Sequence, residues 1–400
     1  MTSHPNTVLE RLERQMRAER VNLIVSNDAY GEVARHIEDE FDDTEAPILA
    51  RFTNFIPDGA THGQPDEAIR ALTNFAIQEF DMLWGFIEGD LVAAWTTGRG
   101  RQSFVSPRDA VFMTLTVLKH YNTWQKHAID FEVGLSSLEK TVHKVIGIIE
   151  PILYKRLVKP VKMRDQVAAG ATFQHYPYAL YATDVKFQPA YRPSGRFNEQ
   201  KVYFSAKHKL YGFKLECSVA LPGVAVDLSQ HSPGSASDLT MMLDRAHVHR
   251  QMLRKDPDAP AEADAEPTEF PSSSAVLMDK GYQGAHRVLR VLQPKKQPRG
   301  GTLTADDLAR NRRVSSDRVI VENYFGRVCR LWNAMYMTYR WSEASFDQVS
   351  RLCFALTNFH VELMPLRAQM ATTTAASCPS TPQWELSSVS NAPDPSTSDY

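Results

Sequence analysis

The chain has 400 residues, 43% of them hydrophobic, and a formal net charge of −2. That length and apolar content can fill two domain cores, or one large domain with extensions, and exclude a disordered scaffold for the chain as a whole. Its four cysteines, Cys217, Cys329, Cys353 and Cys378, are far apart with no C-x-x-C pair. This argues against a disulfide framework or a structural zinc site and for a reducing compartment.

In chain order, residues 1–65 read as a partly helical appendage. They hold a polar helix over 8–20 and an acidic run of Glu38, Asp39, Glu40, Asp42, Asp43 and Glu45. No apolar signal region opens the sequence and no later stretch has the uninterrupted apolar length of a bilayer span, so the expectation is a soluble protein. Residues 66–165 form an all-helical region. Leu72, Phe75, Phe80, Leu83, Trp84, Ile87 and Leu91 approximate one helical stripe. Pro107 stands where the next helix begins, with Val111, Leu115 and Leu118 on its buried face. Residues 122–157 then read as a short helix, a turn at Gly134 and a longer helix whose start carries a Ser136-x-x-Glu139 capping box. Leu138, Val142, Val145, Ile146 and Ile149 make its apolar stripe, with Lys140, His143 and Lys144 elsewhere on the helix. The layout is that of a helix-turn-helix, whose second helix enters a DNA major groove; an ordinary helical hairpin has the same pattern.

Residues 166–366 change period. Strands are predicted over 173–184, 201–206 and 211–220, rich in Tyr, Phe and Val, with turns at Pro193-Ser194-Gly195 and Pro222-Gly223. A helix over 237–253 follows, then a Pro-, Ala- and acid-rich insertion over 255–274 that lacks the apolar area to order itself. Next come a strand over 275–279, a helix over 283–292, a basic loop, a helix over 317–334 and a core-like helix over 346–363. The Ser-, Thr- and Pro-rich tail, 367–400, is expected to be disordered.

Charge is segregated along this frame. Between Lys280 and Arg318 ten Lys or Arg face only Asp306, Asp307 and Asp317, a local +7. Phosphate binding needs such a local field rather than a basic whole, although a solvated surface has the same composition.

Three acids stand out. Asp279 ends the apolar run 275–278 just before Gly281, Asp184 ends the aromatic run 178–183, and Glu322 sits in a helical pattern. Carboxylates on two strand ends and a neighbouring helix can hold the paired hard cations that phosphodiester cleavage uses. Each acid also has a plainer role: a strand-end turn at Asp184, a turn opened by Asp279, or an i,i+4 pair between Arg318 and Glu322.

The order of motifs resembles the DDE superfamily endonuclease domain of PIF/Harbinger-type transposases. It rests on Thr183-Asp184, Tyr203-Phe204-Ser205-Ala206-Lys207-His208-Lys209, Pro233-Gly234-Ser235-Ala236-Ser237-Asp238, Met278-Asp279-Lys280-Gly281-Tyr282, Arg318 through Gly326, and Leu356-Thr357-Asn358-Phe359. The resemblance implies an RNase H-like mixed α/β sheet flanked by helices. It implies Asp184, Asp279 and Glu322 as catalytic, metal-binding acids for Mg²⁺ or Mn²⁺, two ions in number, with Asp238 supporting them. It further implies cleavage at transposon ends by two-metal water attack followed by 3′-OH strand transfer, a Myb-like accessory protein, and a nuclear location. Lys140, Lys144, His208, Lys280, Arg310, Arg312 and Arg313 are the candidate DNA contacts. A host-recruited, catalytically silent DNA-binding protein on the same fold remains open, as does a carboxylate-pair hydrolase such as a glycosidase, against which the +7 stretch argues. Neither a membrane partner nor a fixed oligomeric state is implied.

Overall fold

A computed structural model describes residues 48–53, 65–96, 105–194, 196–256, 262 and 265–366. The expected helix at 8–20, the first acidic run and the tail from 367 lie outside the described residues. Helices α1 (Ile48–Thr53), α2 (Pro65–Thr73), α3 (Ile77–Thr96), α4 (Pro107–His120), α5 (Trp124–Asp130), α6 (Leu135–Leu157) and α7 (Met163–Ala168) precede the sheet. The stripe read over 72–91 is split between α2 and α3, because Asn74 takes a left-handed φ of 76° and its side chain donates to the Leu331 carbonyl. Pro107 opens α4 as expected, capped by Ser106.

The hairpin of α5 and α6 is present, but its proposed capping box does not form. Gly134 is the N-cap, which places Ser136 inside the first turn. The longer helix α6 is also a core member, packed against α3, α4 and α5 and against the final helix of the fold. Its buried Glu150 pairs with Arg351 at 2.6 Å. Its opposite side stays open to solvent, with Ser137, Lys140, Lys144, Gly147, Pro151 and Lys155 exposed in one stripe.

Among the described residues the sheet has seven strands: β1 (Ala179–Pro189), β2 (Phe204–Ser205), β3 (Leu210–Ala220), β4 (Val224–Leu228), β5 (Ser232–Pro233), β6 (Ala275–Met278) and β7 (Val291–Leu292). β3 lies antiparallel beside β1 and carries β2, β4 and β5 on its other edge; β6 and then β7 lie parallel on the opposite side of β1. An antiparallel meander continued by two parallel strands is the mixed sheet expected of an RNase H-like fold. Helices α8 (Phe197–Lys201), α9 (Asp238–Asp244) and α10 (Ala246–Met252) fill connections, and α11 (Ala305–Leu331) and α12 (Phe346–Leu363) close the chain.

Several boundaries differ from the sequence expectations, each for a local reason. β1 starts later and runs further than predicted, so Asp184 is mid-strand, opposite Cys217 of β3. The predicted strand at 201–206 gives way to α8 and the two-residue β2, as Glu199 accepts from the Arg196 N–H at the helix start. The helix over 237–253 breaks at Arg245, whose guanidinium is turned to the sheet, 2.8 Å from Glu216 and 2.5 Å from Asp227. The helix over 283–292 is absent: Gly284 at φ 108° separates two single 3₁₀ turns, and the chain then enters β7. The last basic stretch is helical, since α11 begins at a Thr304/Asp307 capping box well before 317.

The two faces of the sheet bury different cores. Ala182, Leu215, Cys217 and Leu277 join the larger cluster, which also takes in the helical region from Ile48 onward and both closing helices. Tyr181, Val276, Met278 and Tyr282 join a smaller one under α9 and α10. The buried Asn358 of α12 fastens the layers. Its Nδ2 donates to the carbonyls of Leu157 and Ala225, and its Oδ1 accepts from the Ala225 N–H and the Tyr324 hydroxyl. Among the described residues no helix is long and apolar enough to cross a membrane.

Asn358→Leu removes four hydrogen bonds and strands buried partners at about 1–3 kcal/mol each, so chemical denaturation should show a loss of at least about 3 kcal/mol; a loss under 1 kcal/mol would mean the tie is dispensable. His231 gives a pH signature. Its ring stands 3.0 Å from both Asp347 and Glu343, and the Asp347 hydrogen bond raises its pKa above the ordinary 6.5 against the opposing effect of burial. A folded-state value above the unfolded one contributes stability that is complete below pH 6.5 and fades as pH climbs through the raised value. Urea midpoints between pH 6 and 8 should therefore fall less steeply in His231→Gln than in wild type.

Candidate functional site

The register of β1 against β6 builds the site. Thr183 pairs with Met278 in parallel, so the next residue on each strand is an acid, Asp184 and Asp279. Asp279 continues the extended backbone at φ −81°, ψ 171° before the 3₁₀ turn Lys280–Tyr282. Parallel neighbours lie about 4.8 Å apart. Alternation along each strand sets Asp184 with Ala182 and Asp279 with Leu277, both on the larger core face. α11 packs on that face against β1, β3 and β6, and it brings the third acid, Glu322.

α11 is held at this depth by Asp317, a buried carboxylate whose Oδ2 accepts from the backbone N–H groups of His175 and Tyr176 ahead of β1. One residue later, Arg318 spans the site. Its Nη1 is 2.8 Å from Asp184 Oδ2 and its Nη2 is 2.5 Å from Glu322 Oε1. The plainer role of Glu322, an i,i+4 partner of Arg318, is thus also fulfilled. Asp184 Oδ1 takes the Val185 N–H at 2.8 Å.

Burial pushes the Asp184 carboxyl up to about 6, the Asp279 and Glu322 charges add to the rise, and Arg318 and the Val185 N–H restrain it. Burial works against the charge on Arg318, but Asp184, Glu322 and Asp279 together hold it protonated. The electrostatics therefore couple all three acids to one guanidinium. Only 20% of the Asp184 side chain is exposed, against 51% for Glu322, so the helix acid is the one free to reorient.

The donor set is all carboxylate oxygen, which suits hard divalent cations, and a positive charge already bridges two of the three members. Among the described residues, however, no three His, Cys, Asp or Glu side chains stand close enough to share an ion as they lie. The guanidinium stands in for such a cation between Asp184 and Glu322.

Asp238 lies behind the Asp279 turn. Its Oδ1 accepts from Lys214 Nζ at 2.9 Å, and a Cβ placed on Gly281 would come within 2.7 Å of its Oδ2. A side chain at position 281 would therefore displace the Asp238 carboxylate that Lys214 holds beside the turn carrying Asp279. Asp317 and Lys214 have no role in the sequence expectations, and Arg318 has only that of a partner to Glu322. The Arg318 spacing of one helical turn from Glu322 was visible, but its reach to Asp184 depends on the packing.

The candidate DNA contacts are dispersed. Lys280, Arg312 and Arg313 are exposed on elements that carry the acids, and Arg310 is paired with Glu266. Lys140 is exposed on α6, where Lys144 lies over the Trp95 ring at 4.4 Å. His208 stacks on Phe187 at 4.4 Å, and its partial burial lowers its pKa.

Against this geometry, comparison with known proteins is specific. Residues 183–358 match the family described as DDE superfamily endonuclease. The match starts beside Asp184 and ends on Asn358, spanning all three acids. The chain is also 22% identical, over 265 residues, to the probable transposase for insertion sequence element IS702 of Microchaete diplosiphon, covering 66% of this chain and 84% of that protein. No solved structure matches the chain. Both comparisons are likenesses, one to a DDE endonuclease family over 183–358 and one to a probable transposase.

Replacing Arg318 by Gln removes the main charge that restrains Asp184. In the metal-free protein, carboxyl NMR titration should then place the Asp184 midpoint above its wild-type value near 6; an unmoved midpoint would show that the guanidinium does not govern this carboxyl.

Proposed function

We propose that this protein is a divalent-metal-dependent DNA endonuclease of the DDE transposase type, with Asp184, Asp279 and Glu322 as its catalytic acids. The observation that carries the proposal is the in-register step from Thr183↔Met278 onto two adjacent aspartates, under a helix whose glutamate shares a guanidinium with one of them. On its motifs the subtype nearest this chain is PIF/Harbinger, with a nuclear site of action and a Myb-like accessory protein as part of the same reading.

Asp184, Asp279 and Glu322 would hold Mg²⁺ or Mn²⁺, two ions in this reading. Such ions supply, when bound, Lewis-acid stabilisation of developing oxyanion charge and an acidified water. The rest is the work of the chain. Arg318 keeps Asp184 and Glu322 side by side in the absence of metal. The apolar floor of Ala182 and Leu277 keeps water away from the buried side of the acids. Lys280, exposed and next to Asp279, would contact a phosphate of the scissile strand. Strand transfer uses the same residues, with a freed 3′-OH in place of water.

A second reading, a DNA-binding protein without activity on the same fold, has one observation in its favour: two of the acids are engaged by Arg318. A plasmid-nicking assay with Mn²⁺ or Mg²⁺ separates the two. Wild type should nick, and Asp279→Ala should lower the rate by more than about 100-fold, beyond what losing a residue that merely orients a metal ligand costs. Calorimetric Mn²⁺ binding should disappear in Asp184→Ala/Asp279→Ala. A wild type that binds Mn²⁺ without nicking supports the silent reading, and Mn²⁺ binding unaltered in the double variant removes the acids from the site altogether.

A further inference from the structure

The segment 255–274, expected to be unstructured, has described residues fixed by ion pairs. Glu262 bridges Lys255 and Arg290 at 2.9 and 2.7 Å. Glu266 takes Arg310 in a two-point fork, Nε to Oε1 at 2.8 Å and Nη2 to Oε2 at 2.9 Å, while its backbone N–H donates to the Tyr178 hydroxyl. Ala265 packs against the larger core. Glu266 and Pro267 share with β7 and α11 an open groove of about 710 Å³, lined also by His286, Lys295, Lys296 and Arg310.

Glu266 is the one acid among the lining residues, and of the lining cations Lys295 is also paired with Asp307 at 2.6 Å. Arg310 is half-buried and fixed from below by the Gln293 carbonyl at 2.8 Å, and Lys295 is set by a reciprocal backbone pair with Asn311. A preorganised guanidinium fork beside two lysines is the arrangement that recognises phosphate, and Glu266 occupies it as a phosphate group would. The hydrogen bond from Arg310 accordingly holds the Glu266 carboxyl below its usual range, with Lys295 and Arg313 adding to the effect.

The groove and the acids share one helix, α11, but not one face of it: at 3.6 residues per turn Arg310 is turned about 80° from Arg318 and about 120° from Glu322. Arg310 precedes Arg318 by eight residues and Glu322 by twelve on α11, roughly 12 and 18 Å at 1.5 Å per residue. At 3.4 Å per base step that is about four to five steps of duplex.

We propose that the Arg310 groove is a docking point for the phosphate backbone of the DNA being cut, and that the Glu266 carboxylate is an internal competitor that occupies its guanidinium until nucleic acid displaces it. The proposal rests on the nuclease reading for the nature of the polyanion, but its test does not depend on catalysis.

The test is fluorescence anisotropy of a labelled duplex with the full chain in Ca²⁺ over a salt series. Glu266→Gln frees Arg310 for one phosphate, so its affinity at low salt should rise several-fold, and the slope of log K against log salt should steepen by about 0.9. In Glu266→Gln/Arg310→Ala both gains should vanish. If Glu266→Gln melts like wild type yet binds with the same affinity and slope, or if it binds more tightly by the same factor without Arg310, the Glu266 carboxylate is not a competitor for this groove. A chain in which no variant binds duplex overturns the docking point as well. The Mn²⁺ titration of Asp184 and Asp279 reports separately on the nuclease reading.

Discussion

The parallel register between β1 and β6 is the constraint on which the site depends. A single-residue slip would send Asp184 and Asp279 to opposite faces, since strand side chains alternate. The slip is opposed on both faces at once: Ala182 and Leu277 are buried against α11, while Tyr181, Val276 and Met278 are buried beneath α9 and α10. Strands that bury both faces leave no alternative register that keeps apolar groups from water. The acids are thus positioned by the hydrophobic packing of their neighbours rather than by interactions of their own.

Charge does a different job. Arg318 reaches a strand acid and a helix acid together, and Asp317 anchors the same turn of helix to the backbone ahead of β1. Removing two carboxylates from water is unfavourable unless a partner is supplied, and here the partner comes from the helix that delivers the third acid. On the opposite face Arg245 serves Glu216 and Asp227 in the same manner. Arg245 breaks a helix in order to do so, which is why local propensity misjudged the extent of the helix over 237–253.

Much of the frame was legible. The mixed α/β architecture, the helical N-terminal part, the strand at 275–278 and the closing helix all followed from periodicity and apolar runs. β4 was missed although Val224 to Leu228 follows a turn that was noticed, because five residues with one acid give little periodic signal. The early start of α11 was also announced, by Thr304 and Asp307, but a run of arginines masked it. The site was legible to a different degree. Residue type and order singled out Asp184, Asp279 and Glu322, whereas the roles of Arg318, Lys214 and Gly281 arise only from contacts across 24 to 134 positions of chain. The insertion showed the opposite failure: composition predicted no order, yet Glu262 and Glu266 gained it from cations that composition alone could not pair with them.

One helix, α11, carries the groove arginine, the anchoring aspartate, the bridging guanidinium and the third acid on a single rigid rod. Point substitutions along its solvent side leave those spacings intact. An insertion or deletion of one residue between Asp317 and Glu322 instead rotates everything beyond it by about 100°, carrying Glu322 off the sheet while Asp317 stays in place. Natural length variation in this protein should therefore gather in the segment 255–274 and the connections, and bypass this rod.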